Sequence, residues 1–198
     1  MKIYLASKSP RRREILNNMG IDPVIIVSDA DENIDSPDPE KTVTELALRK
    51  VRAVADKIPE DALAIAADTV VYADGEILGK PKDDEDARRM LEKLSGRRHS
   101  VYTGVALTYC GMTVSGCEKT EVCFRKLSES EIREYVDSGE PRDKAGAYAI
   151  QGRAAFFVSR IVGDYLNVIG LPVCLCAGLA AGEFGIDLFS AEHRTNND

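Results

Sequence analysis

"KIYLASKSPRRREIL", residues 2–16, carries two periodicities in one short stretch. Residues 2–6, KIYLA, have the composition of a buried strand. Beyond them Ser9 is a candidate N-cap and Pro10 occupies the first helical position, while Ile15, Leu16 and Met19 recur at helical spacing until Gly20 stops the pattern. A strand passing into a helix through a short loop opens an α/β unit. The charge is the anomaly. Arg11, Arg12 and Arg13 fill the first turn, the positive end of the helix dipole, where each cation costs roughly 0.3–1 kcal/mol and the backbone N–H groups lack acceptors. A bound anion would relieve both problems; a solvated basic surface is the plainer alternative.

Outward from this stretch, strands and helices alternate. PVIIV (23–27) reads as a second strand, SDADENIDSPDPE as an acidic loop, and residues 40–57 as a helix. Residues 62–67, ALAIAA, form a buried-type strand, and Asp74-Gly75 turns the chain into a short partner. KDDEDARRMLEKLSG predicts a helix capped by Asp83 or Asp84, with Ala87, Met90, Leu91 and Leu94 inward and Gly96 as its stop. SVYTGVALTYC and MTVSGCEKTEVCF pair as an antiparallel hairpin, and Ser128 with Glu131 forms a capping box. AAFFVSRIVGDYLNVIG is expected to be another hairpin, turning at Gly163-Asp164; a last helix covers 172–183, and residues 190–198 read as a frayed tail. The expected fold is α/β, a mixed β-sheet with flanking helices, in one domain over residues 1–189.

Composition narrows the function. At 198 residues the chain can bury roughly 70% of its unfolded surface. No apolar run approaches the ~20 residues that cross a membrane, and the opening residues do not form a signal peptide, so a cytoplasmic setting is expected. Five cysteines without a Cys-x-x-Cys pair indicate reduced thiols, with Cys174 and Cys176 expected as packing residues. A net charge of −7 opposes non-specific nucleic-acid binding and leaves a small anionic ligand as the better partner. With only His99 and His193 present, a histidine metal centre is disfavoured, and a Ser-His triad would have to rest on His99 without a G-x-S-x-G elbow. The Walker A pattern is absent as well.

Several residues sit where structure alone does not ask for them. At 100° per residue Lys50 falls on the apolar stripe of its helix with Val43, Ala47 and Val54; it either snorkels out or holds a phosphate. Asp68 ends the buried run ALAIAA, where a carboxylate needs a cation, a metal or several donors. Glu32 in the acidic loop is either a solvated charge or a second carboxylate. Lys80 is aimed by the tight GKP turn, and DKAGAYAIQG surrounds Lys144 and Gln151 with small residues. Cations holding a polyphosphate while Glu32 and Asp68 hold a divalent metal is the division of labour of phosphoryl chemistry. In that arrangement Arg12, Lys50, Lys80 and Ser7 bind phosphate, and Asp68 activates water.

ASKSPRRREIL, AADTVV, GKP, LSGRRHSVYTGVAL, EPRDKAGAYAIQG and GDYLNVIGLP together resemble the Maf family of nucleoside triphosphate pyrophosphatases, over residues 3 to about 185. The resemblance implies a fold similar to the inosine triphosphatases, with two lobes around a cleft, often as a homodimer. It implies hydrolysis of a nucleoside triphosphate to the monophosphate and pyrophosphate with a divalent cation, Mg or Mn. Asp68 matches the family's proton acceptor, while Arg11, Thr69 and Gln151 match the base-specificity positions of the dTTP/UTP branch. The branch acting on 7-methyl-GTP has tryptophan, glutamine and glutamate there. Ala149 and Ala154 replace glycines common in the family. The family's reputation in septum formation leaves a binding regulator of cell division as the other class; the apparently complete set of cations and carboxylates favours the enzyme. An RNA-handling module is opposed by the acidic charge and the lack of tryptophan.

Overall fold

The computed structural model describes residues 1–31, 33, 34 and 36–190. Glu32 and the tail from 191 to 198 lie outside the described residues. The elements are β1 (Ile3–Leu5), α1 (Pro10–Asn18), β2 (Val24–Ile25), α2 (Pro39–Ala55), β3 (Leu63–Ala73), β4 (Glu76–Leu78), α3 (Asp84–Leu94), β5 (Arg98–Tyr109), β6 (Met112–Phe124), α4 (Glu129–Asp137), β7 (Val158–Val162), α5 (Tyr165–Ile169) and α6 (Val173–Phe184). The strands form one mixed sheet in the order β2-β1-β3-β5-β6-β7, with β4 on β3. β1 runs parallel to β2 and β3; the other pairings are antiparallel. No helix among the described residues is long and apolar enough to cross a membrane.

The strand alternation of β3 sorts the core into two layers. Ala64 and Ala66 face α2 and pack with Ala47, Val51 and Val54, whereas Leu63, Ile65, Ala67, Val71 and Ala73 join the larger cluster that takes in α1, α3, α4 and α6. α2 is long because Asp38 caps it, accepting from the N–H groups of Glu40 and Lys41, and because its stripe buries Val43, Leu46, Val51 and Val54, each stabilising by ~1.5–3 kcal/mol. It lies close to the sheet. A Cβ on Gly104 in β5 would stand 2.3 Å from the backbone C and O of Val43, so only glycine admits this approach. The capping box of α4 is complete, and Asp83 rather than Asp84 caps α3.

The expected hairpin over 154–170 is not formed. Residues Arg153–Phe156 coil into a 3-10 turn, β7 pairs with β6, and Asp164 caps the short helix α5 by accepting from Leu166 N–H. A five-residue helix spans too little chain to display a 3.6 period, which is why its apolar residues read as a strand. Cys176 is buried as expected, but Cys174 is exposed.

Candidate active site

The cleft originates in the sheet register. β5 pairs with β3 from Ala64 to Tyr72, so β1, which pairs with Leu63–Ile65, and β4, which pairs with Val71–Ala73, must share the opposite edge. Residues 66–70 lie between them with no strand on that side. Asp68 sits in the middle of this gap. The chain leaving β1 brings Ser7, Lys8, Arg11 and Arg12 to one side, and the chain leaving β4 brings Gly79 and Lys80 to the other, around a cleft of about 1010 Å³.

Period 2 places Asp68 on the α2 side of β3, where the Lys50 ammonium meets its Oδ1 at 2.5 Å. Both side chains are largely buried, 12% and 17% exposed respectively, so the pair sits in a partly desolvated wall. Lys50 therefore lies inward, as its stripe position predicts. Arg52 is exposed, while Arg49 bonds Glu45 and donates to the carbonyls of Asp31 and Asn33, tying down the acidic loop.

Thr69, one residue on, faces the opposite layer. Its Oγ1 lies 3.0 Å from Thr103 Oγ1 on β5 and accepts from Arg12 Nη2 at 3.1 Å. Arg12 also donates Nε to the Gly170 carbonyl at 2.7 Å and Nη1 to Ser7 Oγ at 3.2 Å. The three arginines thus diverge. Arg12 is drawn inward, Arg11 reaches Asp143 at 3.4 Å across the cleft rim, and Arg13 points away toward Asp22 at 3.8 Å. Ser9 makes no side-chain cap bond and the first turn of α1 holds no acid, so the anion preference of that turn is met by no side chain of its own.

The far rim is irregular. After α4 come 3-10 turns at Glu140–Asp143 and Ala145–Ala147, the second with Gly146 at φ 66°; Gly146 N–H donates to the Gly79 carbonyl and binds this rim to the Lys80 turn. Lys144 pairs with Asp143. Burial alone would raise the Asp143 carboxyl, but the hydrogen bond and charge of Lys144, with Arg11 beside it, hold it below its ordinary value. Tyr148 lines the cleft and its hydroxyl meets His99 Nε2 at 2.9 Å; burial pushes the His99 imidazole down to about 4. Gln151 is exposed to the cleft at the end of the segment.

The cleft therefore collects Lys8, Arg11, Arg12, Lys50, Lys80 and Lys144 against Asp29, Asp68 and Asp143 among the described residues. It is electropositive in a chain whose net charge is −7. The residue pattern of the Maf-like proteins matches residues 2–182. The chain belongs to the Maf family. It is similar to proteins named dTTP/UTP pyrophosphatase: 48% identical to that of Caldanaerobacter subterraneus subsp. tengcongensis over 188 residues, 94% of this chain and 91% of the relative. With the protein of Alkaliphilus metalliredigens it shares 50% over 190 residues, 94% and 98% of the two chains, and with that of Pyrococcus abyssi 50% over 171 residues, 86% and 90%.

In this Maf chain the cleft brings together Ser7, Arg11, Arg12, Lys50, Asp68, Thr69, Lys80 and Gln151; only Glu32 falls outside the described residues. Sequence reasoning missed Asp143, Thr103 and Tyr148. Thr103 comes opposite Thr69 only through the β3–β5 register, for which there is no local signal. Asp143 adjoins the Lys144 that DKAGAYAIQG flags, so the motif itself pointed to it.

Proposed function

We propose that this chain is a nucleoside triphosphate pyrophosphatase that hydrolyses dTTP and UTP to the monophosphate and pyrophosphate. The observation that carries the reading is the electropositive cleft whose wall holds a half-buried carboxylate, Asp68, paired with Lys50, on an otherwise acidic protein. Arg12, Lys50, Lys80, Ser7 and the open turn of α1 bind the polyphosphate, an anion of the size and charge that this first turn favours. Asp68 takes a proton from water as its oxygen attacks the α-phosphorus; the bond from that phosphorus to the bridging oxygen breaks, and pyrophosphate leaves with the electron pair.

The donor set suits a divalent ion held jointly with substrate phosphates. No group of three or more His, Cys, Asp or Glu side chains capable of holding a metal occurs among the described residues. Mg²⁺ and Mn²⁺ accept one or two carboxylates plus phosphate oxygens, and Asp68, with Glu32 as second carboxylate, meets that need. When bound, the ion supplies Lewis-acid polarisation of the phosphoryl oxygens.

Arg11, Thr69 and Gln151 read the base. Uracil and thymine present N3–H between two carbonyls, and the amide of Gln151 accepts from the former and donates to the latter. A fixed positive charge on the ring, as in 7-methylguanine, finds no carboxylate at this position. One domain over residues 1–189, a homodimer and a cytoplasmic setting accompany the reading, supported by the family resemblance. The test is pyrophosphate release from a panel of triphosphates with Mg²⁺ or Mn²⁺. UTP and dTTP should lead, and a preference for 7-methyl-GTP would contradict the reading.

A further inference from the structure

Gln151 belongs to no helix or strand, so something else must hold it. The Glu140 carboxylate provides contacts on both sides. Its Oε1 accepts from the Tyr135 hydroxyl at 3.0 Å, and the same hydroxyl accepts Ala149 N–H at 3.0 Å; its Oε2 accepts Arg153 N–H at 3.2 Å. One carboxylate thus fixes the backbone two residues before and two residues after Gln151. Between them Gly152 N–H closes the turn on the Ala149 carbonyl at 3.0 Å.

Two further observations show that this contact is built. Tyr135 is buried, and its hydroxyl both donates to Glu140 and accepts from Ala149 N–H. Gly152 has φ −106°, a conformation open to any residue, yet a Cβ there would lie 2.0 Å from Glu140 Oε1. Any side chain at 152 must therefore displace the Glu140 carboxylate from the contacts it makes with Tyr135 and Arg153.

We infer that Glu140, acting through Tyr135 and against Gly152, is the positioning residue that sets Gln151 for recognition of the pyrimidine base. The inference rests on the reading of Gln151 as a base-contacting residue. Neither Glu140 nor Tyr135 lines the cleft, so neither touches substrate. A buried hydroxyl left without its partner, as Tyr135 would be, destabilises the arrangement it held, and here that arrangement is the turn that carries Gln151.

The experiment compares wild type with Glu140→Ala, Tyr135→Phe and Gly152→Ala, measuring kcat and KM for UTP and GTP and competitive inhibition by inorganic pyrophosphate. Each variant should raise the KM for UTP and lower the UTP over GTP preference by about 5- to 50-fold, with kcat and the pyrophosphate inhibition constant within about twofold. Glu140→Gln, which keeps one acceptor, should fall between. Because an added Cβ acts by displacing the carboxylate, Gly152→Ala should add less than about twofold once Glu140 is already alanine. A wild type that discriminates while the folded variants keep its KM and preference overturns this inference alone, as does an undiminished effect of Gly152→Ala in the Glu140→Ala background. A wild type with no pyrimidine preference overturns the functional reading and this inference with it.

Discussion

Asp68 and Gln151 face the same cleft, but Asp68 lies in the middle of an eleven-residue strand, whereas Gln151 lies in a segment between α4 and β7 whose only helical pieces are 3-10 turns. On the first side, geometry comes from repetition: strand alternation turns Asp68 toward α2, helix periodicity turns Lys50 toward the sheet, and Gly104 sets the distance between them. On the second side each position is held by a particular side chain, Glu140 and Tyr135 around Gln151, His99 behind Tyr148. Ordered backbone holds the Asp68–Lys50 side of the cleft, and individually satisfied polar contacts hold the wall proposed to recognise the base.

The most damaging way to break the regular side is Gly104→Ala. The added methyl meets the backbone of Val43 and Thr44, which cannot rotate aside, and overpacking of this kind should cost about 3 kcal/mol or more. Urea denaturation should show a lower midpoint, with activity lost in parallel. Asp68→Asn keeps the same geometry and removes the base, so the fold should persist while turnover falls roughly 10²-fold or more. A folded variant with unchanged turnover would remove Asp68 from its assigned role.

On the irregular side, Gln151→Glu should act on selectivity and leave stability alone. Replacing a donor-acceptor amide with an acceptor should lower the preference for UTP and dTTP over 7-methyl-GTP by about 5- to 150-fold in kcat/KM. An unchanged ratio would show that Gln151 does not read the base.

A pH-dependent test concerns what stands behind that wall. His99 is buried neutral with its folded value lowered to about 4, below the unfolded value of about 6.5, so the unfolded chain binds the extra proton first as pH falls. Its contribution to stability is complete above about pH 6.5 and is lost progressively toward pH 4, at up to about 1.4 kcal/mol per pH unit. His99→Gln, which cannot take up that proton, should flatten the pH dependence of the urea midpoint across this window. Equal slopes in the two proteins would place the titration elsewhere.

This division also explains how much could be read from sequence. Lys50, Asp68, the capping box of α4 and the β5–β6 hairpin follow from periodicity and capping, which are local properties. The placement of Lys80 follows from the GKP turn, though its closeness to Asp68 depends on β1 and β4 sharing one edge of β3, a long-range fact. Within the expected hairpin over 154–170 the strand at 158–162 forms, but the 3-10 turn before it and the five-residue helix after it are too short to impose a period on the sequence. Thr103 and Tyr148 act through partners 34 and 49 residues away, and Glu140 through contacts to Tyr135 and Arg153 that no local pattern encodes. Arg11 and Gln151 carry local signals of their own, but the base-reading role of Arg11, Thr69 and Gln151 follows from the family resemblance alone.

The most direct measurement is the fate of solvent oxygen. If water activated by Asp68 attacks the α-phosphorus, hydrolysis of UTP in ¹⁸O-labelled water should place the label in UMP and leave the released pyrophosphate unlabelled. Label in the pyrophosphate would mean attack at the β-phosphorus, and release of orthophosphate with UDP would mean attack at the γ-phosphorus; either result would contradict the account.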